Sequence, residues 1–435
     1  IGVRLVGSEM CIRDRIRNYL EISNYCYFEQ YICEKLKTSM VTKIFNNTKR
    51  AFALKSDKEL KKALFIFGMM NRPSLVAVGT RMTNLALKLN LPVDGLIKKT
   101  IFEMFCGGVS MKDCEPVMEK MYKMHVHSVL DFSKEGEDVE EVFNETLETK
   151  KEIVKFANGK KEIPFTVFKP TGIGRFEIWE KVSSKEELTK EEKEEWDRVR
   201  NRVDEICKLA YDLDTRILAD AEESWMQDAA DDLLEEMMSK YNKEKVIVYN
   251  TLQCYRWDRL QYIKDLHKRA KNKGFKVGAK IVRGAYMEKE NARAEKMGYP
   301  TPICEDKEAT DVNFNAVLYY AMQNLDDIWL YIGTHNEVST YLTMQLMDEK
   351  GLDKRDERIW FSQLFGMSDH ITFNLALNSF NAAKLVPFGP VKDVVPYLIR
   401  RAQENSSVKG QTGRELALLR EEQDRRDGNF TKTIA

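Results

Sequence analysis

The chain has 435 residues, 43% hydrophobic and 32% charged, the composition of a globular protein with material for a large core. Sixty-nine basic residues balance sixty-nine acidic ones, so net charge favours neither nucleic acid nor an anionic surface as a partner. No apolar run reaches the roughly 20 residues of a membrane-spanning helix, which leaves only peripheral membrane contact, and eight cysteines without a CxxC pattern suit unpaired thiols in a reducing, cytoplasmic setting.

Residues 1–39 lack the patterning of the rest of the chain. Residues 1–15 resemble translated sequencing-adapter read-through, Glu9, Asp14 and Glu21 argue against a basic transit peptide, and Met40 is the expected start. From 40 to about 131 the chain reads as helical: Ser56 and Glu59 have capping-box spacing ahead of an apolar-periodic stretch at 60–70. Further amphipathic pieces at 82–91 and 97–105 are closed by Cys106-Gly107-Gly108. Such an arm is expected to pack on a barrel or dimer surface, with lipid contact the alternative for any Met and Phe left exposed. His125-Val126-His127 puts two imidazoles on one side of an extended piece. No carboxylate or cysteine comes after them at ligand spacing, so packing is expected there and no metal site anywhere.

From residue 163 onward, short apolar runs end in polar or glycine-containing tips. The runs at 163–168, 216–219, 246–249 and 277–282 lead to Lys169, Asp220, Gln253 and Arg283-Gly284-Ala285-Tyr286. Those at 328–332, 359–361 and 383–386 lead to Gly333-Thr334-His335-Asn336-Glu337, Gln363-Leu364-Phe365-Gly366 and Phe388-Gly389-Pro390. Charged stretches of helical period separate them, as at 258–272 and 310–324, and strands alternating with helices mean a parallel α/β sheet. Seven units, with an eighth expected near 406–408, suit a (β/α)8 barrel of about 250 residues. A doubly wound sheet is the rival, but Gly172-Ile173-Gly174 has Glu177 at the third glycine position and reads as a loop. The stretch 183–213 is a charged helical insert with Ser184/Glu187 and Thr189/Glu192 as candidate capping boxes.

In a barrel the polar strand tips converge at one end, which brings Lys169, Asp220, Tyr286 and His335 together. If 397–405 is helical, Tyr397 lies three and four residues from Arg400 and Arg401, and Glu404 comes next at the same spacing. Two guanidinium forks suit a small carboxylate, because each donates paired charge-assisted hydrogen bonds; a solvated Arg/Glu face is the plain alternative. Asp220 has its own alternative as a helix cap.

Ala219-Asp220-Ala221-Glu222-Glu223, Lys280-Ile281-Val282-Arg283-Gly284-Ala285-Tyr286, Gly333-Thr334-His335-Asn336, Gln363-Leu364-Phe365-Gly366-Met367 and Tyr397-Leu398-Ile399-Arg400-Arg401-Ala402-Gln403-Glu404-Asn405 resemble, in this order, the proline dehydrogenase family. The resemblance covers about 163–405, with weaker likeness back to 40. It implies a distorted (β/α)8 TIM-type barrel with an N-terminal helical arm, holding FAD non-covalently. It further implies oxidation of L-proline to Δ1-pyrroline-5-carboxylate, electrons passing to a membrane quinone, and a separate pyrroline-5-carboxylate dehydrogenase downstream. By the same resemblance Arg400 and Arg401 clamp the substrate carboxylate with Lys169 as a further cation. Tyr286 and Tyr397 wall the ring, Leu364 packs on it, and Asp220 sits beside Lys169 and the flavin. Gln253, Lys280, Val282, Arg283, Gly284, Ala285, Thr334, His335, Asn336, Gln363 and Glu404 are the implied flavin contacts. Hydride transfer needs distance and angle rather than a protein nucleophile, and a cation such as Lys280 or Arg283 near the flavin would favour its reduction.

Two positions depart from the family pattern. Lys280 stands where arginine is common, giving a single-point donor in place of a fork. Phe388 stands where tyrosine is common, which bears on discrimination between proline and hydroxyproline, so a hydroxyproline dehydrogenase is an alternative within the family. Outside it, Lys169 or Lys280 would serve a Schiff-base lyase, and a non-catalytic binding protein would make the polar tips incidental. The expected division is an artefactual extension at 1–39, an arm at 40–150, a barrel at 151–415 and a tail at 416–435. No second, aldehyde dehydrogenase domain is expected in this length.

Overall fold

The computed structural model describes residues 43–89, 92–132, 139–407 and 411–428, so the expected extension at 1–39 lies outside the described residues. Eight parallel strands close into a barrel in chain order: β1 Val126–Phe132, β2 Phe165–Phe168, β3 Arg216–Ala219, β4 Val248–Gln253, β5 Val277–Val282, β6 Ile328–Gly333, β7 Ile359–Leu364 and β8 Ala382–Phe388. Closure comes from β1 beside β8, in register from Val126↔Ala382 to Phe132↔Phe388. This corrects the expectation that 406–408 supplies the eighth strand and that 40–131 is helical throughout. Residues 406 and 407 end the helix Val391–Ser407, and 408 lies outside the described residues. The true first strand is hidden in sequence because His127, Ser128 and Asp131 interrupt its apolar run, although Ser128 and Asp131 are buried in the closed barrel. The helix Glu140–Ala157, within the expected arm, packs on β1 and β2 as the first barrel helix.

Side-chain alternation divides each strand between the lumen and the layer under the helices. The lumen is filled at its amino-terminal end: Phe165 meets Tyr249, Tyr331 and Trp360 edge-on, with ring centroids 5.4, 5.0 and 5.3 Å apart. The Arg216 guanidinium lies 5.5 Å from the Phe165 centroid and 5.3 Å from that of Trp329, and donates to Glu357 at 2.5 Å. Gly278 makes this packing possible, since a Cβ there would sit 2.3 Å from the Val248 carbonyl oxygen. With that end plugged by rings, only the carboxyl-terminal end can admit a ligand.

A second core covers that end. Phe52, Leu60 and Phe67 of the arm pack with Val394, Tyr397 and Leu398 of the helix Val391–Ser407 and with Leu416 and Leu419 of the helix Gln411–Arg426. Leu364 and Met367, at and beyond the tip of β7, join the same cluster. The Ser56/Glu59 and Thr189/Glu192 capping boxes both form, whereas Ser184 ends the helix Phe176–Ser183 instead of starting one. The arm is tied to β8 through charge: Asp369 lies 3.0 Å from Lys55 and 2.9 Å from the buried Lys384.

Candidate active site at the carboxyl ends of the strands

Alternation that fills the lower lumen with rings puts charges above them. Asp131 at the end of β1, Lys169 after β2, Asp220 after β3 and Lys280 on β5 all share the parity of lumen-facing residues on their strands. The Lys280 ammonium pairs with an Asp220 carboxylate oxygen, with only 8% and 17% of the two side chains exposed. Asp220 is therefore an ion-pair partner across the barrel, and the next helix, Ser224–Tyr241, starts without its help. Lys150 donates to Asp131 at 3.3 Å and to the Phe132 carbonyl at 3.2 Å. Burial pushes the Asp131 carboxyl up, but Lys150, Lys169 and Lys280 outweigh it and hold the group below the usual carboxylate range. Neither Asp131 nor Lys150 stands out in the sequence, yet Leu130-Asp131 repeats the apolar-then-acid tip of Ala219-Asp220.

Around this crown the β3, β4 and β5 tips interlock. Gln253 donates to the Glu222 carbonyl at 2.6 Å, and the Glu222 carboxylate accepts from the Thr171 amide at 3.0 Å and hydroxyl at 2.7 Å. Burial raises the pKa of Glu222. The half-buried Tyr286 phenol is held well above its ordinary range by burial first and then by Glu222 and Glu223, with Arg400 acting in the opposite sense. Tyr286 thus shares its electrostatic surroundings with the β3 tip and Arg400. The charge of Arg401, after burial and Lys384, helps push the His335 imidazole down to about 3. Adjacent helical residues diverge by about 100°, so Arg400 and Arg401 leave the helix in different directions. Arg401 also lies 5.0 Å from the Tyr397 ring centroid. Tyr397 and Leu364 meet in the second core, and the side chain of Glu404 lies outside the described residues.

Beyond β5, Arg283 donates to Asp311 at 2.6 Å, Thr334 at 2.7 Å and Ser339 at 3.0 Å, and its guanidinium lies 4.4 Å from the Phe314 centroid. Asn336 caps the helix Glu337–Glu349 by accepting from the Ser339 amide at 2.9 Å, and His335 Nδ1 lies 2.9 Å from the Ser368 hydroxyl. Gln363 points out of the lumen; it donates to the Thr334 carbonyl at 2.9 Å and accepts from Thr372 at 2.7 Å, which braces the β6 tip. Phe388 is 2% exposed, groups with the layer outside the strands, and packs on Phe132 with centroids 5.4 Å apart. His127 packs as expected, edge-on to Trp360 at 5.0 Å.

A large anionic cofactor fits the β4–β6 side. Lys280 and Arg283 supply positive charge, and Val282 leads into a turn where Gly284 and Ala285 are exposed. Gly284 has φ 133°, and a Cβ there would meet Tyr255 ring carbons at 2.6 Å, so this backbone is kept bare of side chain.

A closed parallel barrel, plugged by aromatic rings at one end and crowned by paired charges at the other, defines a (β/α)8 barrel with a ligand site at the carboxyl ends of its strands. Residues 114–414 match the family model for proline dehydrogenase, and the chain belongs to that family. It is 40% identical over 250 residues to mitochondrial proline dehydrogenase 1 of Drosophila melanogaster, a match covering 55% of this chain and 37% of the fly protein. It is 30% identical over 332 residues to the carbapenem antibiotics biosynthesis protein CarD of Pectobacterium carotovorum subsp. carotovorum, covering 76% of this chain and 86% of that one. In structure it resembles proline utilization A of Bdellovibrio bacteriovorus, with a TM-score of 0.68 at 19% identity over 87% of this chain and 42% of that one.

Proposed function

We propose that the chain oxidises L-proline to Δ1-pyrroline-5-carboxylate, the first step of proline catabolism, with FAD as the non-covalent hydride acceptor. The observation that carries the reading is a mouth crowned by the Asp220–Lys280 pair and covered by the helix that bears Arg400 and Arg401. A carboxylate held between them, with Lys169 alongside, would turn the opposite edge of the ring toward the β4–β6 side. Gln253, Lys280, the Arg283–Ala285 turn, Thr334, His335 and Asn336 would hold the flavin there. Bound FAD supplies two-electron oxidation of the carbon beside the ring nitrogen. The protein's own residues fix the approach: Tyr286 and Tyr397 wall the ring, Leu364 excludes water, and the Asp220–Lys280 pair keeps a cation on the flavin side. Electrons would leave to a membrane quinone, with the protein peripheral on the inner face of the cytoplasmic membrane and a separate pyrroline-5-carboxylate dehydrogenase taking the product.

The test is anaerobic addition of L-proline and, separately, hydroxyproline to the purified protein. Flavin absorbance that bleaches with proline is the expected result; a colourless protein that FAD cannot reconstitute would sink the reading. Arg400→Met and Arg401→Met should each raise KM for proline by about 10- to 100-fold, the loss of charge-assisted hydrogen bonds to the carboxylate. An unchanged KM would remove the carboxylate clamp.

A further inference from the structure

Outside the barrel wall, where the arm meets β8, the structure leaves a cavity of about 210 Å³. Lys384, which lines it from β8, shares strand parity with Val386 and Phe388 in the layer under the helices, whereas Ala383 belongs to the lumen cluster. The cavity is therefore separate from the charged mouth. Its other sides come from the arm helix Asp57–Met70 and the turn before it, the helices Met111–Tyr122 and Asp369–Leu377, and the tip beyond β7. At about 30 Å³ for each water the space holds roughly seven, yet Leu54, Met104, Val117, Phe365 and Phe373 make much of its wall apolar.

Charge selects the occupant. Asp369 is held by Lys55 at 3.0 Å and Lys384 at 2.9 Å, Lys62 pairs with Glu103 at 2.7 Å, and Glu59 accepts from the Ser56 amide and hydroxyl at 2.7 Å each. Lys120, in the last turn of its helix, also lines the cavity and has no ion-pair partner among the described residues. Four ammonium groups thus face three carboxylates, an excess of one positive charge. A lone ammonium is a point charge that suits a monoanion, whereas a phosphate dianion would exceed the excess, and the apolar wall requires an apolar body. We infer that the cavity binds a small amphipathic monocarboxylate, its carboxylate at Lys120 and its hydrocarbon part against Phe365 and Phe373. Such a ligand bridges the arm and the β7 tip, which already meet there. Lys384 donates to the Leu364 carbonyl at 3.3 Å and to the Met367 carbonyl, and Gly366 has φ 79°, where a Cβ would overlap the Met104 carbonyl oxygen.

The experiment is calorimetric titration of the purified full chain with hexanoate. The expected result is saturable binding with a dissociation constant of about 1 mM or tighter, together with slowed hydrogen exchange around Leu54 and Phe365. Lys120→Met should weaken binding by about tenfold, the worth of one charge-assisted hydrogen bond, and Val117→Phe should abolish it by filling the cavity. Hexanol, which lacks the charge, and inorganic phosphate, which lacks the apolar body, should each bind at least about tenfold more weakly. No saturable hexanoate binding, or binding unchanged in both variants, overturns the inference. So does phosphate binding as tightly as hexanoate, which would leave a plain anion site. Binding lost in Arg400→Met but kept in Lys120→Met overturns it as well, because the carboxylate would then sit at the proposed proline site. Proline-dependent reduction of a water-soluble dye should be unchanged in Lys120→Met, which keeps failure of this site distinct from failure of the proposed oxidation.

Discussion

Asp220 and Lys280 belong to tips that sequence alone marked as polar, but their partnership depends on two strands on either side of β4. Breaking a buried pair by removing one member leaves the other uncompensated, so Asp220→Ala should destabilise the protein by about 3–5 kcal/mol in urea titrations. A variant as stable as the parent would show that Lys280 finds another partner. His335 makes a pH prediction. Its folded pKa of about 3 lies below the ordinary imidazole range, so as pH falls the unfolded chain takes up the proton first. The stabilisation is complete above about pH 6.5 and is lost progressively toward pH 3. His335→Gln should flatten the fall of the urea midpoint between about pH 7 and pH 5. Superimposable pH profiles for parent and variant would contradict the assignment.

At the scale of elements, the helix Gln411–Arg426 is fastened over the ends of β6 and β7. Glu337 accepts from His370 at 3.0 Å and from Arg414 at 2.9 Å, and Glu415 accepts from the Ser368 amide at 2.9 Å. Burial pushes Glu337 up, but the hydrogen bonds from His370 and Arg414 outweigh it and hold the carboxyl at about 2. Its contribution is present above the ordinary carboxylate range and disappears as pH falls toward 2. Arg414→Ala should therefore raise hydrogen exchange in 411–426 at neutral pH while leaving the lower-barrel strands protected. Equal protection in parent and variant would show that apolar packing alone fastens the helix. Two glutamates and an arginine thus add to the apolar packing of Leu416 and Leu419 in holding this helix.

The whole molecule joins a barrel to a cover made from both flanks of the chain. Leu419 is fully buried in that cover and shares its core with Tyr397 and Leu398, beside the arginine pair. Leu419→Ala should cost about 2–5 kcal/mol by opening a cavity and should also raise KM for proline, because the helix carrying Arg400 and Arg401 loses its backing. Loss of stability with an unchanged KM would mean that the barrel holds that helix unaided. Sequence by itself determined the parallel α/β class, seven of the eight strands and the polar tips, because those signals are local: apolar runs of strand length, helical period between them, and charge where a run ends. Tertiary structure alone decided that Val126–Phe132 closes the barrel, since Ser128 and Asp131 break its apolar run in the sequence and are buried only in the strand paired with β8. It also decided that Phe388 packs outward against Phe132, because strand parity acquires a direction only once the barrel defines an inside.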